Sequence, residues 1–231
     1  MRFAGLIITT FTLIVFIKHV ETPVVKAAGR ELSFMLLSGC AVCYIGVFVL
    51  LIKPDTVSCI MQRFFLSAGF SIIYASLLTK TNRIYRIFNS ALKTTQRPAY
   101  ISPQSQVVIA SLLASLQIAV FIGWIVLEPP GAKTVIPDEN NRNIVVLKCK
   151  CEESSLLISL TYNMLLIIVC TIYAVLTRKI PSSFNESKFI GFTMYTTCII
   201  WLSFCPVYFG LKSNYRVCNV VCVSMAVSAT I

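Results

Sequence analysis

The chain is poor in the side chains from which catalytic sites are built. Its only histidine is His19, at the end of an apolar run, and its only aspartates are Asp55 and Asp138, both between such runs. His-based acid–base work and His-containing metal sites have almost nothing to draw on, and no aspartyl pair can meet inside a membrane. No Gly-x-Ser-x-Gly or His-Glu-x-x-His string occurs, which removes two common hydrolase signatures. Charge is scarce too: Asp, Glu, Lys and Arg make up only 13% of the 231 residues. These absences argue against an enzyme and imply no cofactor. Low-complexity linkers and internal repeats are also missing, and an inverted repeat with paired broken helices is what a transporter would have shown.

What fills the chain instead is apolar side chain, at 57% of residues, with a mean hydropathy of +0.81. A water-soluble surface needs a larger charged share than this. Seven apolar segments can be marked, at 3–17, 34–52, 64–78, 107–127, 156–176, 189–211 and 217–231. A bilayer core takes about 20 helical residues. The second, fourth, fifth and sixth segments meet that length, and the third does so when extended back to Cys59 and forward toward Lys80. The first and last, fifteen residues each, would rise only about 22 Å against a core of roughly 30 Å. The expected fold is therefore an all-α membrane protein, a seven-transmembrane helix bundle with helix 1 and helix 7 incomplete. A single unit covers 1–231. Arg2, an apolar run and the small residues at 27–29 mimic a signal peptide, but Lys18, Glu21 and Lys26 intervene and make a poor fit.

The net charge of +11 does not point to nucleic acid, because the basic residues lie in short segments between apolar runs. Membrane lipid headgroups and an acidic partner are the better match. The segment 80–97 is dense in base and free of acid, with Lys80, Arg83, Arg86, Lys93 and Arg97. The positive-inside tendency places it in the cytosol. Segments 18–31 and 178–188, the latter with Arg178, Lys179 and Lys188, then share its side. The N-terminus, Cys59 and the Cys149 region fall outside. In this topology the sequon Asn185-Glu186-Ser187 is cytosolic and unmodified. The long segment 128–153 opens with Pro129-Pro130 and is expected to form an ordered outer cap.

Most of the ten cysteines sit inside apolar runs, where Cys acts as a small hydrophobe. Cys40 and Cys43 form a lone Cys-x-x-Cys without a second ligand pair, which argues against zinc. Cys59, Cys149 and Cys151 differ in lying at or beyond the ends of apolar runs. Within the runs, polar atoms come from Tyr74, Thr161, Asn163, Ser203, Ser224 and Ser228 rather than from charged groups. Interhelical hydrogen bonding and a small-molecule pocket are both open readings of that set.

The strings Lys80-Thr81-Asn82-Arg83-Ile84-Tyr85-Arg86-Ile87-Phe88 and Ser187-Lys188-Phe189-Ile190-Gly191-Phe192-Thr193-Met194-Tyr195 carry a sharper signal. Together with Thr22-Pro23-Val24-Val25-Lys26-Ala27, Gly29-Arg30-Glu31-Leu32-Ser33 and Tyr100-Ile101-Ser102-Pro103, they make the chain resemble the metabotropic glutamate receptors of G-protein-coupled receptor class C. The resemblance runs from the first segment to residue 231, and no rhodopsin-type Asp-Arg-Tyr follows the third segment. It implies a plasma-membrane signal transducer for a heterotrimeric G protein, working as a homo- or heterodimer of receptor subunits. It also implies a disulfide between Cys59 and Cys149, with Cys151 as a rival partner. An inner ion pair between Lys80 and Glu186 is implied, and an allosteric pocket formed by Tyr74, Asn163, Trp201, Phe204, Ser224 and Ser228. Pro206 is expected to loosen the sixth helix as a hinge. The loops carrying Arg83, Arg86, Lys93, Arg97, Arg178, Lys179 and Lys188 are expected to face the G protein.

Two departures stand out. Gln62 occupies a position where that family commonly has a second basic residue beside Arg63. No ligand-binding lobes or cysteine-rich linker lie within 1–231, so glutamate sensing is not expected of these residues. The alternative readings are a multipass transporter or channel, or a truncated non-signalling partner of full-length receptors.

Overall fold

The computed structural model describes residues 2–27, 29–50, 52–53, 55–93, 101–135, 146–150, 153–177 and 185–210. The elements are α1 (Arg2–Lys18), α2 (Pro23–Ala27), α3 (Arg30–Val49), α4 (Thr56–Lys93), α5 (Pro103–Leu127), β1 (Gly131–Val135), β2 (Val146–Lys150), α6 (Glu153–Thr177) and α7 (Asn185–Gly210). The seventh apolar segment, 217–231, lies outside the described residues.

Four helical stretches are long and apolar enough to cross a membrane: Arg30–Val49, Thr56–Ser90, Pro103–Leu127 and Leu160–Thr177. Gly5–Lys18 and Phe189–Ser203 are shorter apolar helices. Helix is what lipid demands, since every backbone group must be satisfied within its own segment. The hydroxyls obey the same demand. Thr79 donates to the Ala75 carbonyl at 2.7 Å, Ser76 to Ile72 at 2.7 Å, and Thr171 to Ile167 at 2.8 Å, each bonding back one turn. Local sequence sets the helix starts. Ser102 caps α5 by accepting the Ser105 N–H at 3.3 Å, with Pro103 in the first turn, where its missing N–H costs nothing. Gly29 enters α3 at φ 79°, a left-handed conformation that favours glycine. A Cβ there would also lie 3.3 Å from the Arg83 guanidinium.

Helix α4 is the mast of the bundle, packing on α3, α5, α6 and α7, while α1 leans on α3. Its closest neighbour is α3, because small residues meet along the seam. A Cβ on Gly69 would sit 2.5 Å from Cys43 Sγ and 3.0 Å from the Cys43 backbone nitrogen, and one on Gly39 would sit 2.9 Å from Ile73 Cγ1. Around this seam the buried core gathers Val47, Phe70, Tyr74, Ile167, Met194 and Trp201. The Tyr162 hydroxyl of α6 donates to the Leu113 carbonyl of α5 at 2.6 Å, closing the other side of the mast.

Two expectations change in detail. The segment expected to form the cap contains an antiparallel hairpin, β1 on β2, with Ala132 opposite Cys149, the one strand pairing among the described residues. The basic patch also begins as helix rather than loop. α4 runs 38 residues, about 57 Å at 1.5 Å per residue, far more than a roughly 30 Å core. No proline or glycine interrupts 80–93. Asn82 accepts from Arg86 Nε at 3.3 Å, and the Tyr85 ring packs on Tyr173 of α6 with centroids 5.6 Å apart. The extension therefore continues past the point where hydropathy falls.

The seam yields a paired test. Gly69→Ala forces a methyl into Cys43 and should lower the thermal stability of the detergent-solubilised protein by about 1–3 kcal/mol, the range for overpacking. Gly123 has nothing within 4 Å of a built Cβ, so Gly123→Ala should be neutral or stabilising. Equal melting temperatures for the two variants would remove the close seam as the organising contact.

Candidate functional site

Three layers along the mast hold the sequence-predicted residues. At one end Cys59, in the first turn of α4, is disulfide-bonded to Cys149 of β2, with Cα atoms 5.7 Å apart across 90 residues. Cys151 lies outside the described residues. Beside the bridge, Gln62 Nε2 donates to the Val49 carbonyl at 3.2 Å and to Ser58 Oγ at 3.3 Å. Its Oε1 lies 3.8 Å from Cys149 Sγ, a contact without a proton to share, since the sulfur is in a disulfide. A neutral amide thus occupies an end-of-helix carbonyl of α3, at the position marked in the sequence as a departure from the resembled family. One residue on, the Arg63 guanidinium lies 3.9 Å from the Trp124 ring centroid, and Trp124 Nε1 donates to Glu128 Oε2 at 2.9 Å. This cation–π contact and its neighbours Phe64 and Phe121, 5.2 Å apart, fix α5 to α4 at the disulfide end.

In the middle layer, Tyr74 and Trp201 are both buried and joined directly: Trp201 Nε1 donates to Tyr74 Oη at 3.1 Å. Phe70 stacks on Tyr74 at 6.2 Å and meets Trp201 edge-on at 5.5 Å. Asn163 is buried on α6, one turn before Ile167. Its Oδ1, like Ser71 Oγ on α4, has no hydrogen-bond partner among the described residues. A buried polar atom in that state costs about 1–3 kcal/mol, so this layer has acceptor capacity to spare. Of the remaining pocket candidates, Phe204 lies on α7 with its side chain outside the description, and Ser224 and Ser228 lie outside the described residues. Phe70 and Ser71 escaped the sequence reading. Their spacing of four and three from Tyr74 was the available signal.

At the far end, Lys80 Nζ donates to Ser33 Oγ of α3 at 3.5 Å, and Thr81 Oγ1 lies 3.8 Å from Cys170 Sγ of α6. Glu186 is the second residue of α7, on this same end, with its side chain outside the description. Arg83 is half-buried and Arg86 exposed on the α4 extension. Lys93 ends that helix and Lys188 lies in the first turn of α7, both without described side chains, while Arg97, Arg178 and Lys179 lie outside the described residues. Around α2, Lys26 Nζ meets Glu21 at 2.6 Å and Arg30 meets Glu31 at 3.1 Å. The hydrogen bond from Lys26, then its charge, hold the Glu21 carboxyl below its usual range. That carboxyl is fully exposed, so the pair is peripheral.

The buried Trp201–Tyr74 bond is open to a double-mutant cycle. Trp201→Phe and Tyr74→Phe each remove one partner, and thermal unfolding of the two singles and the double should give a coupling of about 1 kcal/mol. Strict additivity would show that the pair merely packs.

The whole chain, residues 1–231, matches the family described as "7 transmembrane sweet-taste receptor of 3 GCPR". It is 54% identical over 228 residues to the metabotropic glutamate receptor of Drosophila melanogaster, an overlap of 98% of this chain and 23% of that receptor. To metabotropic glutamate receptor 8 of Mus musculus and of Homo sapiens it is 45% identical over 237 residues, covering 98% of this chain and 26% of each receptor. The chain thus spans about a quarter of the length of these curated relatives. A helical bundle on a central mast, matched by that family from end to end, belongs to the class C G-protein-coupled receptors as a seven-transmembrane domain of the metabotropic glutamate type.

Proposed function

We propose that this chain transmits an event outside the cell to a heterotrimeric G protein through the basic end of its bundle. The observation that carries the reading is the polarity of α4. One end of this single helix is disulfide-tied to the hairpin, and the other projects as a basic extension with Arg83 and Arg86. Disulfides persist in oxidising compartments and basic segments stay cytosolic, so both features favour the same orientation. The N-terminus and hairpin face outward at the plasma membrane, and α2, the α4 extension and the start of α7 face the cytosol. Basic charge on a protruding helix would steer an acidic partner and raise the encounter rate. The domain works beside a second receptor subunit, and what reaches it from outside arrives through parts of the receptor beyond these residues.

Switching needs a two-state bundle biased from above. Lys80, on α4, and Glu186, at the start of α7, form the inner lock, closed at rest and opened when α7 moves. Pro206 is the hinge for that movement. The pocket for small-molecule modulators is the Tyr74–Trp201 layer, where the bare acceptors of Asn163 and Ser71 would orient a ligand donor within aromatic walls. Phe204, Ser224 and Ser228 complete it.

Receptor reconstituted in vesicles with purified G protein tests the reading by nucleotide exchange. Lys80→Ala should raise basal exchange about fivefold, the equivalent of roughly 1 kcal/mol lost from the closed state. Arg86→Glu should slow exchange and weaken its salt dependence. Ion flux without any nucleotide exchange would replace this reading with a transport one. Orientation is checked separately at Asn185: glycosidase should cause no mobility shift, and a shift would turn the topology over.

A further inference from the structure

A crevice of about 250 Å³ opens where α3, α4 and α5 diverge, bordered by Met35 and Ser38 of α3, Ile72 of α4, and Ser111 and Ser115 of α5. It lies on the α3 and α5 side of α4, opposite the Tyr74–Trp201 pair that faces α6 and α7, and away from both ends of the mast. We propose that it is a lipid site holding one acyl chain of a bilayer phospholipid.

Depth selects the class of occupant. Met35 and Ser38 follow the α3 start at Arg30, and Ser111 and Ser115 follow the α5 start at Pro103, by distances of about 8–18 Å along the helix axes. Ile72 lies at a similar distance above Lys80 on α4. All five sit within a core roughly 30 Å thick, where the surrounding medium is hydrocarbon rather than headgroup or water. The mouth is open to that medium: Ser38, Ser111 and Ser115 are exposed, and Ile118, which also lines it, is 40% exposed.

The walls suit an apolar chain. No charged side chain lines the crevice. The hydroxyl protons of Ser38 and Ser115 are already given to the Met35 and Leu112 carbonyls at 2.7 and 2.8 Å, so at two of the three lining serines an apolar occupant strands no donor. The volume is below the roughly 300–1,000 Å³ of drug-sized pockets, and the cleft is open along one side. A linear chain fits such a space, and filling it restores dispersion contacts that bare walls forfeit. A second helix would need its axis within about 8–10 Å of its neighbours, which a space of about 250 Å³ does not allow.

The test uses the protein reconstituted in phosphatidylcholine vesicles doped with a phosphatidylcholine that carries a diazirine within its acyl chain, with adducts mapped by mass spectrometry. Labelling should concentrate on Met35 and Ile72 relative to Ile122, which is 56% exposed on α5 and reports ordinary lipid contact. Ser111→Phe or Ser115→Phe, each blocking the mouth, should abolish labelling of Met35 and Ile72 and leave Ile122 labelled. The Ile122 adduct also reports that each variant is folded and inserted. Any of three results overturns the proposal: labelling no denser in the crevice than at Ile122, concentration of a diazirine sterol there in place of the acyl probe, or crosslinks from Met35 or Ile72 to a second copy of the chain.

Discussion

The contact between Gly69 and Cys43 sets how closely α3 lies on α4, and the rest of the bundle is hung from that seam. A built Cβ at Gly69 would stand 3.0 Å from the Cys43 backbone nitrogen, so the two helices approach almost backbone to backbone. In lipid there is no hydrophobic reward for bringing apolar helices together, and close van der Waals packing has to do that work. Once α3 is fixed, the side of α4 turned away from it is free for α6 and α7. The Tyr74–Trp201 bond, the Phe70 rings and the Thr81–Cys170 contact all form there. α5 meets α4 on its remaining flank through Phe121 and Trp124, and touches α3 only lightly, which leaves the crevice between them.

Polar atoms in this structure are disposed by one rule, that an unsatisfied group is expensive where water is absent. Threonines and serines bond back to their own helix, Tyr162 reaches across to α5, and Gln62 closes the end of α3. Against that background Asn163 Oδ1 and Ser71 Oγ stand out, buried and without partners among the described residues. They fall in the layer where the Trp201–Tyr74 pair already builds an aromatic wall. In the proposed reading these apolar walls and unspent acceptors form the small-molecule pocket, at the level where α4, α6 and α7 all meet.

Much of this was legible in the sequence, for physical reasons that also explain what was not. Membrane spans announce themselves by length and apolarity, so the fourth segment, expected at 107–127, became α5 at Pro103–Leu127. The error is the capped polar first turn, which hydropathy does not see. The same blindness hid the α4 extension: apolarity fades after Leu78, but helix persists to Lys93 because nothing in between breaks it and Tyr85 is held by Tyr173. The hairpin was unreadable, since its strands are only five residues each and one of them is tied to a distant anchor. That anchor, Cys59 with Cys149, came from resemblance rather than spacing, and nothing in the residues themselves excluded Cys151. Gln62 registered only as a departure, because its value depends on the Val49 carbonyl, thirteen residues away and brought near only by the turn between α3 and α4.

A helix that is bonded at one end and protrudes at the other constrains how a signal can pass. α4 carries the disulfide at its first turn and basic residues at its last, with no proline between them, so it should move as one rod or not at all. Its flank toward α3 is locked by the glycine seam, and a rod so fixed is a poor moving part. α7 is differently placed. It shares the Trp201 bond and the Met194 and Ile190 packing with the core, but it makes no close glycine approach among the described residues, Gly191 meeting only Ala174 at 4.0 Å. Pro206 removes a backbone donor from its sequence. In the proposed switch the mast is therefore the reference frame and α7 the lever. The Trp201–Tyr74 bond is the point where an occupant of the middle layer would set the lever against the mast.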